Sequence, residues 1–223
     1  MNKLFFLGVF ASAIVFQAAA DDLVPLPLVL PPPAMKGTPQ AVPLDTTALP
    51  LDDKPRPPFL APKGTANVSL GKPVSASDTN LISGDLSQIT DGHKQAFQEN
   101  VVTLRHGLRW VQIDLRGEYK LYAILLWHDF TTPIVCRDVI VQVSDDPEFK
   151  TGVTTLFNND QKNSAGLGIG TDREYFENSL TGAGKLIDAK GTKARYVRCY
   201  SKGSTDSALN TYIEVEAWGL PAQ

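Results

Sequence analysis

Trp110-Val111-Gln112-Ile113-Asp114-Leu115 alternates between apolar and polar side chains, with Val111, Ile113 and Leu115 on one face. That period of two marks a strand with one buried side. Just downstream, Leu121 to Trp127 is almost wholly apolar, which suits a strand buried on both sides. Val139, Val141 and Val143 alternate with Ile140, Gln142 and Ser144. Val74 to Ser77, Thr154 to Phe157, Lys185 to Ile187, Arg195 to Tyr200 and Tyr212 to Trp218 complete a set of short strands. Turn residues separate them: Asp91-Gly92, Arg116-Gly117, Asp145-Asp146-Pro147, Asn158-Asn159-Asp160 and Lys202-Gly203-Ser204. With no amphipathic helix beyond a turn or two and no internal repeat, the fold class is all-β.

The N-terminal part has a different texture. Of the 16 prolines, 12 lie between Pro25 and Pro62. Prolines lack an amide donor and favour extended polyproline backbone, so residues 21–64 are expected to be a disordered Pro-rich linker. Its leucines and valines are apolar enough for some stretches to dock. The folded domain is expected over residues 65–220. Residues 1–20 have the layout of a secretory signal peptide: Lys3, an uncharged apolar run from Leu4 to Phe16, then Gln17-Ala18-Ala19-Ala20. Cleavage before Asp21 and a secreted or periplasmic location follow. The run is too short for a transmembrane segment. A formal charge of −3 with no basic run gives no footprint for nucleic acid.

Asn67-Val68-Ser69-Leu70-Gly71-Lys72-Pro73-Val74-Ser75-Ala76-Ser77 resembles the opening strand of discoidin domains, the coagulation factor V/VIII type C group. Ile89-Thr90-Asp91-Gly92 is similar to that family's Asp-Gly turn, and Ala194-Arg195-Tyr196-Val197-Arg198 and Tyr212-Ile213-Glu214-Val215-Glu216 follow in the family's order. The stretch from Asp138 to Asp160 resembles a bacterial exported subgroup similar to family 32 carbohydrate-binding modules. The resemblance runs from about Asn67 to Gly219. It implies a galactose-binding-like jelly-roll β-sandwich and a non-catalytic module that recognises a glycan or cell-surface polysaccharide through loops at one end. A structural or adhesive module with a protein partner is the alternative, and an unrecognised glycan hydrolase a further one.

The same resemblance implies a structural Ca2+ beside the Asp-Gly turn, with Asp91 and Glu214 supplying side-chain oxygens. Calcium takes several hard oxygen ligands, which a tight turn can converge. His93 departs from this, because imidazole is a poor ligand for a hard cation. For the glycan, Trp127-His128-Asp129 and nearby Arg137 offer an aromatic platform and polar partners. Arg198 and Tyr212 are weaker candidates. No enzyme signature accompanies them: His93, His106 and His128 are scattered, and Gly166-Leu167-Gly168-Ile169-Gly170 has the wrong spacing for a dinucleotide turn. That stretch and Gly182-Ala183-Gly184 read as flexible turns. Cys199 shares a face with Val197, as a small core residue does. A Cys136–Cys199 bridge stays open at this point.

Overall fold

A computed structural model describes residues 22–35, 46–51 and 54–222. The signal peptide expected over 1–20 and its cleavage site lie outside them. The strands are β1 (Leu23–Pro25), β2 (Leu60–Pro62), β3 (Ala66–Asn67), β4 (Val74–Ala76), β5 (Val102–Leu104), β6 (Arg109–Trp127), β7 (Ile140–Ser144), β8 (Thr154–Asn158), β9 (Lys185–Ser201), β10 (Asn210–Tyr212) and β11 (Glu214–Pro221). The main sheet runs β3-β11-β6-β9-β7-β8, with β4 also pairing β6, and every pairing is antiparallel. This is the expected all-β sandwich.

Two long strands carry the architecture. Trp110–Leu115 and Leu121–Trp127, expected as separate strands, are one strand, β6, and Lys185–Ile187 and Arg195–Tyr200 are likewise joined in β9. The Arg116-Gly117 turn signal is an irregularity within β6 rather than an end. Arg116 and Lys190 adopt positive φ, and the β6–β9 register shifts between Asp114 and Tyr119 and again between Leu121 and Ala123. Arg195 grips the first kink, its Nε and Nη2 donating to the two oxygens of Asp114 at 2.8 and 3.0 Å. The first half of β6 pairs with β4 and the second with β11, so the strand bends around one core. That core holds Val111, Ile113, Leu115, Leu121, Ile124 and Leu126 of β6 with Val141, Val143, Val197 and Val215.

The strand Leu121–Trp127 is buried on both faces, as its composition predicts. The register shift sets Tyr122 and Ala123 on the same side, and with Leu125 and Trp127 they join a second cluster containing Phe130, Ile213 and Trp218. The cover for that cluster comes from the proline-rich segment. Leu26 and Ala61 are buried in it, Leu28 and Phe59 pack against it, and β1 pairs with β2. The expectation of a disordered linker over 21–64 is therefore corrected for its described parts. An apolar sheet face left open would expose several large side chains, and burying one leucine is worth about 1.5–3 kcal/mol. The prolines supply preset extended backbone for that docking. Further along, the amides of Ala34 and Met35 donate to the Ser179 carbonyl, and Arg56 Nη1 donates to the carbonyls of Ala183 and Gly184.

Cys136 and Cys199 are both free thiols within the main core. Burial pushes the Cys199 thiol up to about 12.

Candidate functional site

Three loops meet at one end of the sandwich: 128–138 after β6, 159–184 before β9, and 202–209 after β9. Residues 134–137 run between the other two. Val135 bridges Phe176, Cys136 bridges Ser204, and Arg137 exchanges backbone hydrogen bonds with Gly203 and Lys202 at 2.9 and 2.8 Å. The predicted ligand residues lie here, but at different depths.

Trp127 is 1% exposed. Its Nε1 donates to the Gly182 carbonyl at 2.9 Å, and the Gly184 backbone lies on its ring so closely that a Cβ there would be 2.3 Å from Cε2. His128 is 0% exposed, with Nδ1 2.7 Å from Glu177 Oε1. A ring covered on both sides offers no face to a sugar, so Trp127 and His128 are not surface contacts. The Gly182-Ala183-Gly184 turn packs directly on the Trp127 ring. Asp129 serves its own loop, accepting from the Thr131 amide and hydroxyl at 2.9 and 2.8 Å. Of the weaker candidates, Arg198 is stacked between Trp110 and Phe149, 4.3 and 4.0 Å from the ring centroids, and grips Gln112. Tyr212 is buried, with its hydroxyl 3.0 Å from Ser201 Oγ.

Arg137 alone reaches a surface cleft. Its Nη1 donates to Glu174 Oε1 at 2.5 Å, while Glu174 Oε2 accepts from the Thr46 hydroxyl and the Thr47 amide. Burial works to raise the Glu174 carboxyl, but hydrogen bonds from Thr46 and Arg137 outweigh it and hold the group below its ordinary value. The cleft, about 500 Å3, is lined by Arg137, Asp138, Asn159, Gln161, Glu174 and Lys202 among others. Asn159 is 4% exposed; its Oδ1 accepts from the Val139 amide at 2.7 Å, and its Nδ2 has no partner.

The glycine-rich stretch packs against Asn158 and Asp160, next to the cleft residue Asn159. Gly170 donates to the Asp160 carbonyl at 2.8 Å and passes so near Asn158 that a Cβ would lie 2.4 Å from its carbonyl oxygen. Asp160 accepts from the amides of Ser164 and Ala165. Sequence reasoning took Asn158-Asn159-Asp160 as a turn and so passed over Asn159 as a cleft residue; Asn158 instead ends β8, paired with Ile140. Glu174 and Lys202 carried no local signal, because only the loop packing brings them to Arg137.

The expected cation site lies where the start of β11 meets the Asp91-Gly92 turn. Glu214 is 0% exposed; Oε2 accepts from the Gly92 amide at 3.1 Å and Oε1 has no partner. Burial foremost pushes its carboxyl up to about 9; the Gly92 hydrogen bond opposes this, and the charges of Glu216 and Asp91 add to it. Asp91 is more open, turned toward His93, whose amide donates to Oδ1 at 2.8 Å and whose Nδ1 lies 3.1 Å from Oδ2. Glu216 is fully engaged by Lys94 Nζ at 2.6 Å and Trp218 Nε1 at 2.9 Å. The donor set fits a hard cation through Glu214: an orphaned buried carboxylate oxygen, beside a second carboxylate, needs either a proton or an ion.

No protein-family model and no curated protein matches the sequence. Solved structures do share its fold. A family 89 glycoside hydrolase from Clostridium perfringens matches at 15% identity and a TM-score of 0.53 over 70% of this chain, which spans 15% of the hydrolase's length. The lectin binding domain of Lectinolysin, complexed with Lewis b, matches at 17% identity and a TM-score of 0.50, over 71% of this chain and 99% of that one. A fucose binding module of Streptococcus pneumoniae aligns over 71% of this chain and 98% of its own at 17% identity and a TM-score of 0.48. The chain thus shares the β-sandwich fold of the matched part of the hydrolase and of the Lectinolysin domain.

Proposed function

We propose that the chain is an exported, non-catalytic carbohydrate-binding module whose ligand lies in the polar cleft around Arg137. The observation that carries this reading is the convergence of Arg137, Asn159, Gln161 and Lys202 on one polar cleft of about 500 Å3. Sugar hydroxyls are the kind of partner that such side chains hydrogen-bond. Arg137 and Lys202 supply donors, and Gln161 both donors and acceptors. The Lectinolysin domain that shares the fold is a glycan binder by its own description, which supports the same role here.

Hydrolysis finds less support in this cleft, because its acids are already occupied. Asp160 holds two loop amides, Glu174 holds Arg137 and Thr46, and Asp138 accepts from Ser164 Oγ and lies 3.8 Å from Lys202 Nζ. None is poised as a general acid against an open partner. The structural cation is part of the proposal: Glu214, with Asp91, would hold calcium, which would replace the proton on Glu214 and fix the Asp-Gly turn. Export rests on the Lys3 to Ala20 segment, and among the described residues no helix is long and apolar enough to cross a membrane.

A glycan array on the chain starting at Asp21, followed by calorimetry on any hit, tests the ligand. Asn159→Ala and Arg137→Ala should each weaken a hit at least about tenfold, as loss of a buried hydrogen bond predicts. Binding that both variants leave unchanged, or an array with no hits, sinks the cleft assignment. Capture of a protein partner that competes with no sugar would favour the adhesive alternative.

A further inference from the structure

We propose that His128, Cys136 and Glu177 form a buried site for a divalent transition ion, zinc by the chemistry of its donors. His128 follows β6, Cys136 lies in the segment that bridges Ser204, and Glu177 follows Phe176, the partner of Val135. The three are 0%, 3% and 1% exposed. One ligand atom from each lies within 4.8 Å of the others, and no other such trio converges among the described residues.

The arrangement asks for more than an ion pair. Nδ1 of His128 has Glu177, but Nε2 is buried with no partner, and so is Ser179 Oγ, two residues beyond Glu177. A His–Glu pair alone leaves that nitrogen unsatisfied in the core. A thiol, an imidazole and a carboxylate are the ligands of zinc and its neighbours, whereas a hard ion such as calcium avoids sulfur. Tetrahedral ligation sets donor atoms about 3.3–3.8 Å apart. The ligand atoms lie within 4.8 Å of one another, an outer limit somewhat longer than this spacing. Shifts of about an ångström or less therefore close the site. Ligation replaces the Cys136 S–H bond by a sulfur–metal bond, and the proton leaves to solvent. With every donor buried, the ion enters as the loops close during folding, and it ties loop 128–138 to loop 159–184. The proposal does not depend on a glycan in the cleft.

The test is to refold the chain from Asp21 onward with zinc, remove excess ion, and measure bound metal by mass spectrometry; cobalt(II) is then substituted for zinc. About one zinc per chain is expected, with a thiolate-to-cobalt charge-transfer band and intense tetrahedral bands in the visible. Cys136→Ser should abolish the thiolate band and Cys199→Ser should keep it. The band distinguishes this site from one at Glu214, which has no sulfur. If Cys136→Ser does not fold, the wild-type spectrum decides alone. A folded wild-type chain that binds no zinc, or cobalt without a thiolate band, overturns the proposal.

Discussion

Glu214→Gln isolates the cost of one buried carboxyl, and the size of the effect can be worked out beforehand. Glu214 is 0% exposed, and its carboxyl is pushed up to about 9, by burial first and then by the charges of Glu216 and Asp91. In the unfolded chain a glutamate titrates near 4.3. Between these values the unfolded chain is ionised at this position and the folded chain keeps its proton. The stability is therefore fully present below the unfolded value and is lost as pH rises toward 9. The loss runs at about 1.4 kcal/mol per pH unit. From about pH 6 to pH 8 it amounts to about 3 kcal/mol, or roughly 6–12 °C in Tm for a domain of this size. Glutamine keeps the neutral shape and an acceptor for the Gly92 amide but cannot ionise. The assay is urea and thermal unfolding at stepped pH in chelator, read as wild type minus variant so that other groups cancel. The wild type should lose stability relative to Glu214→Gln as pH rises, and calcium should flatten or reverse that slope, since an ion favours the carboxylate. Parallel pH curves for the two proteins in chelator would refute the reasoning. A slope untouched by calcium would remove the cation but leave the proton argument standing.

Gly184→Ala should destabilise the domain by about 2–4 kcal/mol in urea unfolding, since its Cβ would sit 2.3 Å from the Trp127 ring at a φ of +29°. Phe59→Ala and Leu26→Ala should each cost about 2–3 kcal/mol if the N-terminal segment covers the second cluster in solution; changes within about 0.5 kcal/mol would mean the segment stands away. Trp127→Ala should lower stability by about 3–5 kcal/mol in unfolding curves, as removal of a core side chain does, rather than acting first on sugar affinity. Cys199 should resist a thiol reagent at neutral pH until the chain is unfolded, because burial holds its thiol at about 12.

The sandwich was legible because its signal is local. Alternation at Trp110–Leu115 and the apolar run Leu121–Trp127 report which faces are buried, and family-like motifs fall in order around them. The continuity of β6 and β9 was not legible, because Arg116-Gly117 reads as a turn and Lys185–Ile187 and Arg195–Tyr200 read as separate runs, although the backbone only kinks between them. The strand expected over Tyr212–Trp218 is instead divided at Ile213 between β10 and β11. Arg137 was found from its position near the end of a loop. Glu174, Asn159 and Lys202 were missed because tertiary contacts alone bring them together.

The misreading of Trp127 and of the proline-rich segment has one physical cause. A strand that is apolar on both faces needs a cover on each, and nothing in its own sequence names the second cover. With residues 21–64 read as a spacer, the second face had no partner, and a tryptophan at the strand's end looked available for a ligand. The docked parts supply that partner through Leu26, Leu28, Phe59 and Ala61, two pairs each spaced by two residues and too short among the prolines to mark a strand. Once they are in place, Trp127 becomes interior and its indole nitrogen is spent on Gly182. The proposed polar site lies instead where Thr46 and Thr47 of the same segment bond Glu174, the partner of Arg137, in the cleft. The segment that hides the aromatic candidate therefore also helps to build the polar one. Thr46→Ala should accordingly weaken glycan binding at the Arg137 cleft while leaving stability within about 0.5–1.5 kcal/mol, the worth of one hydrogen bond. If calorimetry shows full affinity in that variant, the segment covers the core without shaping the site.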